Sequence, residues 1–487
     1  MKKTAKTTRP RRMTRREFVG GALAAAGVVT GAPALLRGQN LNSRLNIAMI
    51  ACGGRANANL NGDGGGRGRG AAPGGPAPAP AGIAAENITV LCDVDAAAVR
   101  AASQRFPQAR TYSDFRKVFD RPNDFDAVMV STCEHTHAFA TMLALQHGKH
   151  VYCEKPLAYN ISECRLIRET AAKYPHLATQ MGNQGHASPD RRKVKELIMA
   201  GAIGPVREAH VWAGRAWGLQ NADAALKYDM PHGFYNNVQI TGRFKEEMPV
   251  PPDVSWDLWL GPAPARPFHQ TYLPGPRWYR WWDFGNGTMS DLGSHDNDVM
   301  FYALDIRQPL TVEAIFPAER AHPELAPATM TVVYEFGARG NMPPVKLTWH
   351  QGESRPQQWT DGLVPKDDRA QLFIGDKGMI SCGGKGGVML LPEKQFAGYV
   401  APPETLPRSP GHYIEWIQAC KGLGPAPGSN FQYAGWTTES NHLGNVAYRT
   451  GKKIEWDSVT MRAKGAPEAD KYIRREYRKG WEDVLKF

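Results

Sequence analysis

LNIAMIACGGRA, residues 45–56, joins an apolar run to a glycine turn. Leu45–Ile50 has the short, continuous apolar character of a buried strand. Ala51-Cys52-Gly53-Gly54-Arg55-Ala56 then matches the Gly-x-Gly-x-x-Gly turn of dinucleotide-binding domains, with alanine at the first and third glycine positions. Gly53 holds the middle position, where a side chain would block a pyrophosphate from the backbone and the helix N-terminus. The segment therefore predicts the first strand and the phosphate turn of a Rossmann domain.

Alternating strands and helices continue from this turn to about residue 181. Strands are predicted at Ile88–Cys92, Ala127–Ser131, His150–Cys153 and Leu177–Met181, and helices at Ala96–Arg105, His137–His147 and Ser162–Lys173. Short apolar strands separated by helices of this length imply right-handed crossovers and a parallel sheet. We therefore predict a dinucleotide-binding Rossmann domain over residues 44–181.

Asp93 directly follows the second predicted strand. A carboxylate at this place can accept hydrogen bonds from ribose hydroxyls and repels a 2′-phosphate, so it favours NAD over NADP. The spacing between Gly53 and Asp93 is stretched by residues 61–81, which are rich in glycine, alanine and proline. We interpret these residues as a flexible surface insertion.

After Gly182 the predicted strands become longer and richer in valine and aromatic residues. A helix over Asp190–Ala200 precedes strands at Val206–Ala213, Thr311–Ile315, Thr329–Phe336, Val345–His350 and Gln371–Ile374, and helices follow at Tyr413–Lys421 and Ala434–Thr450. Residues 182–455 are thus expected to form an α+β domain with a large, mostly antiparallel open sheet. Residues 456–487 are expected to be a C-terminal tail, charged and helical over Asp470–Phe487.

The formal net charge of +12 is concentrated at the N-terminus. Residues 1–34 contain eight Lys or Arg and one acidic residue, a net +7, which leaves about +5 for the remainder and no basic stripe for nucleic acid. Thr14-Arg15-Arg16-Glu17-Phe18-Val19 fits the twin-arginine export pattern, and Ala32-Pro33-Ala34 fits a cleavage site. The apolar run between them is too short to span a membrane.

These features predict export of a folded protein to the periplasm by the twin-arginine machinery, with no stable membrane insertion. The alternative is a basic N-terminal tail without an export role. The seven cysteines show no C-x-x-C spacing, so we predict no metal site and interpret Cys52, Cys92, Cys133 and Cys153 as small buried residues.

Further motifs follow the glycine turn in a fixed order. They are Ser131-Thr132-Cys133-Glu134-His135-Thr136-His137, Glu154-Lys155-Pro156, Gly182-Asn183-Gln184-Gly185 and Asp291-x-x-x-His295. In this order the chain resembles the Gfo/Idh/MocA family of sugar and inositol oxidoreductases, over nearly the whole predicted mature chain. The resemblance implies a Rossmann domain followed by an α/β domain, with the active site between them. It also implies that the open sheet mediates oligomers, here a homodimer or homotetramer.

The same resemblance implies the catalytic roles. Lys155 would lie beside the nicotinamide and hydrogen-bond substrate hydroxyls, His295 would be the general acid/base, and Asp291 would be its near neighbour. The residue types suit oxidation of an alcohol, because a histidine can take the hydroxyl proton and an ammonium stabilises the developing alkoxide. Asp291 and His295 share a face only if their segment is helical.

We expect the cofactor to be NAD, with NADP less favoured. The predicted cofactor-binding residues are Gly53, Gly54, Arg55, Asp93, Ser131, Thr132, His135, Glu154, Lys155, Asn183 and Gln184. The chain departs from the family at Cys133, where proline is frequent, and at Gly285-Asn286-Gly287, where three glycines are frequent. Neither departure removes a predicted catalytic group.

The run Arg277-Trp278-Tyr279-Arg280-Trp281-Trp282-Asp283 precedes the predicted catalytic pair. Aromatic faces pack against sugars and charged groups bond their hydroxyls, so Arg277 and Trp281 are candidate substrate contacts, as is His186. Aromatic runs also commonly form protein core.

Three functions remain open at this stage. The first is NAD-dependent oxidation of a secondary hydroxyl of a sugar or polyol, with a tightly bound cofactor because the periplasm offers little free NAD. The second is redox-neutral, NAD-dependent cleavage of a glycoside through a transient keto-sugar. The third is a non-catalytic sugar-binding module, against which the retained Lys155, Asp291 and His295 argue.

Overall fold

The computed structural model describes residues 44–62, 82–215, 217–218, 242–243, 246–273, 275–316 and 322–486. The predicted signal segment, residues 1–34, lies outside the described residues, as does the predicted insertion from residue 63 to residue 81.

Six parallel strands form the first sheet, in the order β3-β2-β1-β4-β5-β6. The strands are β1 Asn46–Ile50, β2 Asn87–Cys92, β3 Arg110–Tyr112, β4 Ala127–Val130, β5 His150–Glu154 and β6 Thr179–Gly182. The helices are α1 Gly54–Leu60, α2 Ala96–Arg105, α3 Phe115–Val118, α4 Glu134–Gln146 and α5 Ile161–Lys173. β4 is buried along its whole length because helices cover both faces of the sheet. The predicted parallel Rossmann sheet is confirmed.

The order of strands fixes where a ligand can bind. β1 lies between β2 and β4, so the direction of the crossovers reverses between β1 and β4. In sheets of this kind the carboxyl ends of the two strands open a crevice at that point. β3 and α3 were not predicted, because β3 has three residues, none of them fully buried.

Nine strands form the second sheet, in the order β13-β12-β11-β7-β10-β9-β8-β14-β15. They are β7 Val206–Ala213, β8 Thr311–Ile315, β9 Met330–Phe336, β10 Val345–Gln351, β11 Arg369–Gly375, β12 Gly378–Gly384, β13 Gly387–Leu391, β14 Ile454–Asp457 and β15 Arg462–Lys464. β7 and β10 pair in parallel, and the other neighbours pair antiparallel. The predicted large, mostly antiparallel sheet is confirmed, and it gains four strands that were not predicted.

Helices pack between and around the sheets. They are α6 Pro189–Met199, α7 Trp256–Leu260, α8 Gly287–Asp296, α9 Asp298–Leu304, α10 Gln357–Thr360, α11 His412–Cys420, α12 Phe431–Thr450 and α13 Asp470–Ile473. The long helix α12 packs on α5 of the first domain and on α8 of the second, so it holds α8 against the Rossmann domain. α11 buries Tyr413 and Trp416 in a cluster that includes residues of β1 and β2.

The prediction of a helical tail over Asp470–Phe487 is wrong. Only α13 and a short 3₁₀ segment, Glu482–Leu485, are helical, and Phe487 lies outside the described residues. The tail instead packs its aromatic side chains on the Rossmann domain, where Trp481 and Tyr477 contact the ring of Phe139. Burial of these rings stabilises an irregular path more than the local charge pattern stabilises a helix.

In the described part of the chain, no helix combines the length and the apolar character that a membrane crossing requires. All seven cysteines are free thiols. Cys52, Cys92 and Cys153 are buried as predicted, whereas Cys133 is only half-buried.

Candidate active site

The glycine turn lies at the carboxyl end of β1. Ala51 has a φ of +79°, and its N–H donates to the carbonyl oxygen of Cys92 at 2.8 Å, which ties the turn to β2. Gly53 caps the N-terminus of α1, and Gly54 follows with a φ of +45°. A methyl group added at Gly54 would meet no atom within 4 Å, so the space in front of the turn is open. A diphosphate can therefore approach the backbone here.

Asp93 braces this turn from the end of β2. Its carboxylate accepts the backbone N–H of Cys52 at 2.8 Å and that of Asp95 at 3.0 Å. Burial raises the pKa of Asp93, and these backbone hydrogen bonds oppose the rise. Both oxygens keep a lone pair, so the ribose contact stays a prediction while the bracing of the turn is a direct contact.

Glu154, at the end of β5, is a buried hydrogen-bonding centre beside the turn. Its Oε1 accepts from Arg55 Nε at 3.1 Å, from Asn59 Nδ2 at 2.9 Å and from Gln184 Nε2 at 3.2 Å. Gly182 makes room for it, because a Cβ there would lie 2.6 Å from the Glu154 carboxylate. Arg55, Glu154 and Gln184 were predicted and are brought together, whereas Asn59 was missed.

Ser131 and Thr132 follow β4 and line the other side of the crevice. Ser131 Oγ accepts from Asn59 Nδ2 at 3.3 Å, and Thr132 Oγ1 accepts from Thr136 Oγ1 at 2.8 Å. Both residues are half-buried, and so can be reached from the crevice between the ends of β1 and β4.

Lys155 follows β5 and points to the second domain. Its ammonium donates to Tyr279 Oη at 2.9 Å, to the Asp291 carbonyl oxygen at 2.8 Å and to Asp291 Oδ1 at 2.8 Å. Lys155 and Asp291 are each about 10% exposed at the side chain, so this is an ion pair largely removed from water. The two predicted catalytic residues are therefore in direct contact.

Asp291 also holds two donors on its second oxygen. Oδ2 accepts from Arg215 Nη1 at 2.8 Å and from Trp217 Nε1 at 2.5 Å. Burial by itself would raise the pKa of Asp291, but the charges of Lys155 and Arg215 hold it well below its ordinary value. Asp291 is thus a permanent anion that orients cations, and it is a poor proton acceptor.

His295 lies one turn after Asp291 on α8, which is helical over both residues as the shared-face argument requires. Among the described residues no group hydrogen-bonds to its imidazole, and the residue is half-buried. Burial, and then the charges of Lys155 and Arg369, lower the pKa of His295 well below its ordinary value. The ring is therefore neutral near pH 7, with a lone pair on one ring nitrogen that can face a hydroxyl proton, and its lowered pKa makes it a weaker base than a free imidazole.

Several predicted residues do not face the crevice. His135 is 1% exposed, its Nε2 lies 2.9 Å from the carbonyl oxygen of Trp259, and its ring packs on the rings of Trp259 and Phe284. Trp281 is fully buried in an aromatic cluster, and Arg277 donates to the carbonyl oxygens of Gln270 and Leu273. These three residues support the loop that carries the site because buried side chains cannot reach a substrate.

Asn183 and His186 belong to a second buried cluster. Asp298 Oδ1 accepts from Asn183 Nδ2 at 3.0 Å and lies 2.8 Å from His186 Nδ1. His186 is 2% exposed, so its imidazole is not presented to a substrate. Arg191 links this cluster to the site, because it pairs with Asp298 and donates to the His295 carbonyl oxygen.

Sequence reasoning missed Tyr279, Arg215, Trp217 and Glu134. Glu134 is fully buried at the start of α4, and its Oε1 accepts from Asn286 Nδ2 at 2.8 Å. Burial raises its pKa to about 8. Tyr279 belongs to the aromatic run at residues 277–283, so the sequence did contain a signal that could have identified it as a site residue. Nothing local marked Arg215 or Trp217, which reach Asp291 only through the fold.

The described residues contain no cluster of three or more His, Cys, Asp or Glu side chains that could hold a metal ion. The groups gathered around Lys155 are the phenol of Tyr279, the permanent carboxylate of Asp291 and, one helical turn further on, the neutral imidazole of His295. Together with the nucleotide crevice, they define a two-domain protein whose first domain has the Rossmann fold of NAD-binding domains.

Two models of one family match the chain. The NAD-binding Rossmann model of the Gfo/Idh/MocA oxidoreductases matches residues 67–181, and the family's C-terminal α/β model matches residues 225–341. These two stretches of the chain are thus similar to the two domains of the Gfo/Idh/MocA oxidoreductases.

Part of the chain is also similar to curated proteins. The inositol 2-dehydrogenase of Salmonella paratyphi B is 26% identical over 152 residues, which are 31% of this chain and 43% of the relative. The chain thus matches less than half the length of that relative.

Solved structures show the same fold. The WlbA dehydrogenase of Bordetella pertussis, in complex with NADH and UDP-GlcNAcA, is 14% identical with a TM-score of 0.54, over 85% of this chain and 99% of that one. The aldose-aldose oxidoreductase of Caulobacter crescentus, complexed with glycerol, is 15% identical with a TM-score of 0.53, also over 85% and 99%.

Proposed function

We propose that this protein oxidises a secondary hydroxyl of a sugar or polyol by hydride transfer to NAD. The observation that carries the proposal is the contact of Lys155 with Asp291 at the end of β5, one helical turn from the neutral His295. The inositol dehydrogenase among the relatives supports a polyhydroxylated substrate.

Different residues are expected to bind different parts of the nucleotide. The turn at Gly53 and Gly54 is open to a diphosphate, and Ser131 and Thr132 line the crevice. Asp93, which braces the turn, is the residue that we expect to bind a ribose. NAD, when bound, supplies the acceptor for the hydride. The remaining tasks of the site are to position the alcohol and to accept its hydroxyl proton.

The proton has a suitable acceptor. A neutral imidazole at His295 can take the hydroxyl proton, whereas the Asp291 carboxylate is saturated by Lys155, Arg215 and Trp217. The Lys155 ammonium supplies a positive charge beside the reacting group, which stabilises the growing negative charge on the substrate oxygen.

We further propose that the cofactor stays bound during export by the twin-arginine route, and that the protein works in the periplasm as a homodimer or homotetramer. The basic residues 1–34 support export, and the open nine-stranded sheet offers a face for association. Cell fractionation tests the periplasmic location, and the mass of the purified assembly tests the oligomeric state. A protein retained in the cytoplasm, or a monomer at micromolar concentration, would contradict them.

The central experiment uses the purified full chain in two steps. The protein is denatured and the released nucleotide is identified; absence of any dinucleotide would contradict the tightly bound cofactor. A panel of sugars, polyols and glycosides is then offered without and with added NAD, while NADH absorbance and aglycone release are followed. Hydride transfer without aglycone release supports oxidation, whereas aglycone release with the cofactor unchanged indicates glycoside cleavage.

Variants test the site within the same assay. Lys155→Met and His295→Gln should each lower kcat/KM by at least about 100-fold, because the first removes the positive charge that stabilises the developing alkoxide and the second removes the proton acceptor. Lys193→Met, at an exposed position on α6, is the matched control and should leave turnover unchanged. Full activity of Lys155→Met would overturn the proposal. Binding of sugars without any turnover would favour a non-catalytic binding protein.

A further inference from the structure

The Lys155 ammonium has no hydrogen left for a substrate. A lysine ammonium carries three N–H donors and no acceptor. All three have acceptors at 2.8 to 2.9 Å: Tyr279 Oη, the Asp291 carbonyl oxygen and Asp291 Oδ1. A substrate oxygen could bond to this ammonium only by displacing one of them.

The hydroxyl group of Tyr279, in contrast, has a hydrogen that it can donate. Its hydroxyl oxygen accepts from Lys155, since the ammonium can only donate, so the O–H of Tyr279 is left to donate elsewhere. Among the described residues this O–H has no acceptor, although Tyr279 is only 7% exposed. A buried donor without an acceptor costs free energy, and a catalytic role is one explanation for such a group.

We propose that Tyr279, with Lys155 behind it, donates the hydrogen bond to the substrate oxygen that becomes the carbonyl oxygen. This inference rests on the proposed oxidation and names one further catalytic residue for it. During the reaction the hydroxyl proton of the alcohol goes to His295 and the hydride goes from carbon to NAD. Tyr279 keeps its proton throughout and only donates a hydrogen bond.

The surroundings suit this task. Burial, together with the negative charges of Asp291 and Glu134, raises the pKa of Tyr279 well above its ordinary value, so the phenol stays protonated. Donation by Lys155 to the phenol oxygen polarises the O–H and strengthens the bond it makes. The bond becomes stronger as negative charge develops on the substrate oxygen, which is where stabilisation speeds the reaction.

The ring is held rigidly. It stacks on Trp278 with centroids 3.9 Å apart and lies near Trp217, whose indole is itself bonded to Asp291. Gly285 packs closely against the Tyr279 backbone, where a Cβ would come within 2.6 Å. The hydroxyl is therefore fixed before a substrate arrives, as a preorganised donor must be.

Tyr279→Phe separates the two possible donors because they predict opposite results. If Tyr279 is the donor, kcat should fall about 100-fold with a smaller change in KM, since the bond is strongest in the transition state. If Lys155 is the donor, removing the hydroxyl frees one N–H, and activity should persist or rise. Tyr272→Phe is the matched control, because Tyr272 is a buried tyrosine of the same aromatic cluster whose hydroxyl contacts Arg266.

Binding of myo-inositol in the presence of saturating NADH provides a readout that does not need turnover. Tryptophan fluorescence should report weakening by at least tenfold in Tyr279→Phe and less than twofold in Tyr272→Phe. Equal behaviour of Tyr279→Phe and wild type, in binding or in turnover, overturns the role of Tyr279. A wild-type protein that binds but does not oxidise contradicts the proposed function alone, and one that does neither contradicts both.

Discussion

The Lys155 ammonium and the Asp291 carboxylate form a shielded ion pair, 2.8 Å from Nζ to Oδ1, although 136 residues separate them in the chain. Arg215 places a second cation on the other oxygen of the same carboxylate, also at 2.8 Å. One anion therefore balances two cations that come from different segments of the chain. Its removal takes a shared counter-charge away from both cations.

Asp291→Ala should for this reason lower the free energy of unfolding by about 3 kcal/mol, since breaking a buried ion pair from one side leaves uncompensated charge. Asp291→Asn keeps the shape and should cost less stability, while still lowering turnover because Lys155 loses its anchor. Urea unfolding and NADH formation measure the two effects. The control is Asp305→Asn, whose partner is Lys195 and whose side chain is 57% exposed, and it should change stability by less than about 1 kcal/mol. Unchanged stability of Asp291→Ala would contradict the prediction.

Ala51 occupies the left-handed region with a φ of +79°, at the first position of the nucleotide turn. This backbone conformation costs an L-residue about 1–2 kcal/mol and costs glycine almost nothing. Ala51→Gly should therefore raise the free energy of unfolding by about 1 kcal/mol, after the extra flexibility of glycine in the unfolded chain is counted. Ala48→Gly in β1 is the control and should destabilise. A loss of stability in Ala51→Gly would show that the turn is not strained.

Gly182 lets the Glu154 carboxylate approach β6. In Gly182→Ala the new Cβ would stand 2.6 Å from that carboxylate, so Glu154 must move away from Arg55 and Asn59. We expect a loss of about 1–3 kcal/mol in stability and weaker nucleotide binding, because the side chains beside the turn lose their common acceptor. Calorimetric titration with NADH measures the second effect. Gly185→Ala, whose nearest contact would be an ordinary 3.5 Å, should bind like wild type; equal affinity in both variants would refute the role of Glu154.

Stability should fall as the pH drops below about 6.5. Burial lowers the pKa of His412 to about 3 and that of His442 to about 4. Between these values and the unfolded value of about 6.5, the unfolded chain binds protons that the folded chain excludes. Each histidine therefore lowers the free energy of unfolding by about 1.4 kcal/mol for every unit by which the pH falls.

Urea unfolding at pH 7.5, 6.0 and 5.0 checks this slope. His442→Gln keeps a donor for the Ala158 carbonyl oxygen and should make the slope shallower by about 1.4 kcal/mol per pH unit. His176→Gln, at an exposed position, is the control and should leave the slope unchanged. An identical slope in His442→Gln and wild type would contradict the assignment.

Much of the fold could be predicted because its signals are local. The bounds of α2 and of β7 match the predictions residue for residue, since apolar periodicity is written in consecutive positions. Asp291 and His295 share a face only if their segment is helical. The sequence did not predict this helix, because its serines and glycines give no apolar period. The tail was misjudged because its charges suggested a helix, whereas Trp481 packs on a distant part of the chain.

The sequence by itself determined the parallel sheet, the glycine turn at Gly53 and the order of the motifs that are predicted to be catalytic, because each depends on neighbouring residues and on the identity of their side chains. Only the tertiary structure decided what surrounds them. Arg215 reaches Asp291 across 76 residues and Lys155 reaches Tyr279 across 124, and no local pattern encodes such contacts. The fold brings these groups together by packing α12 on both α5 and α8. Burial and neighbouring charges then set their protonation: a permanent carboxylate at Asp291 and a neutral imidazole at His295.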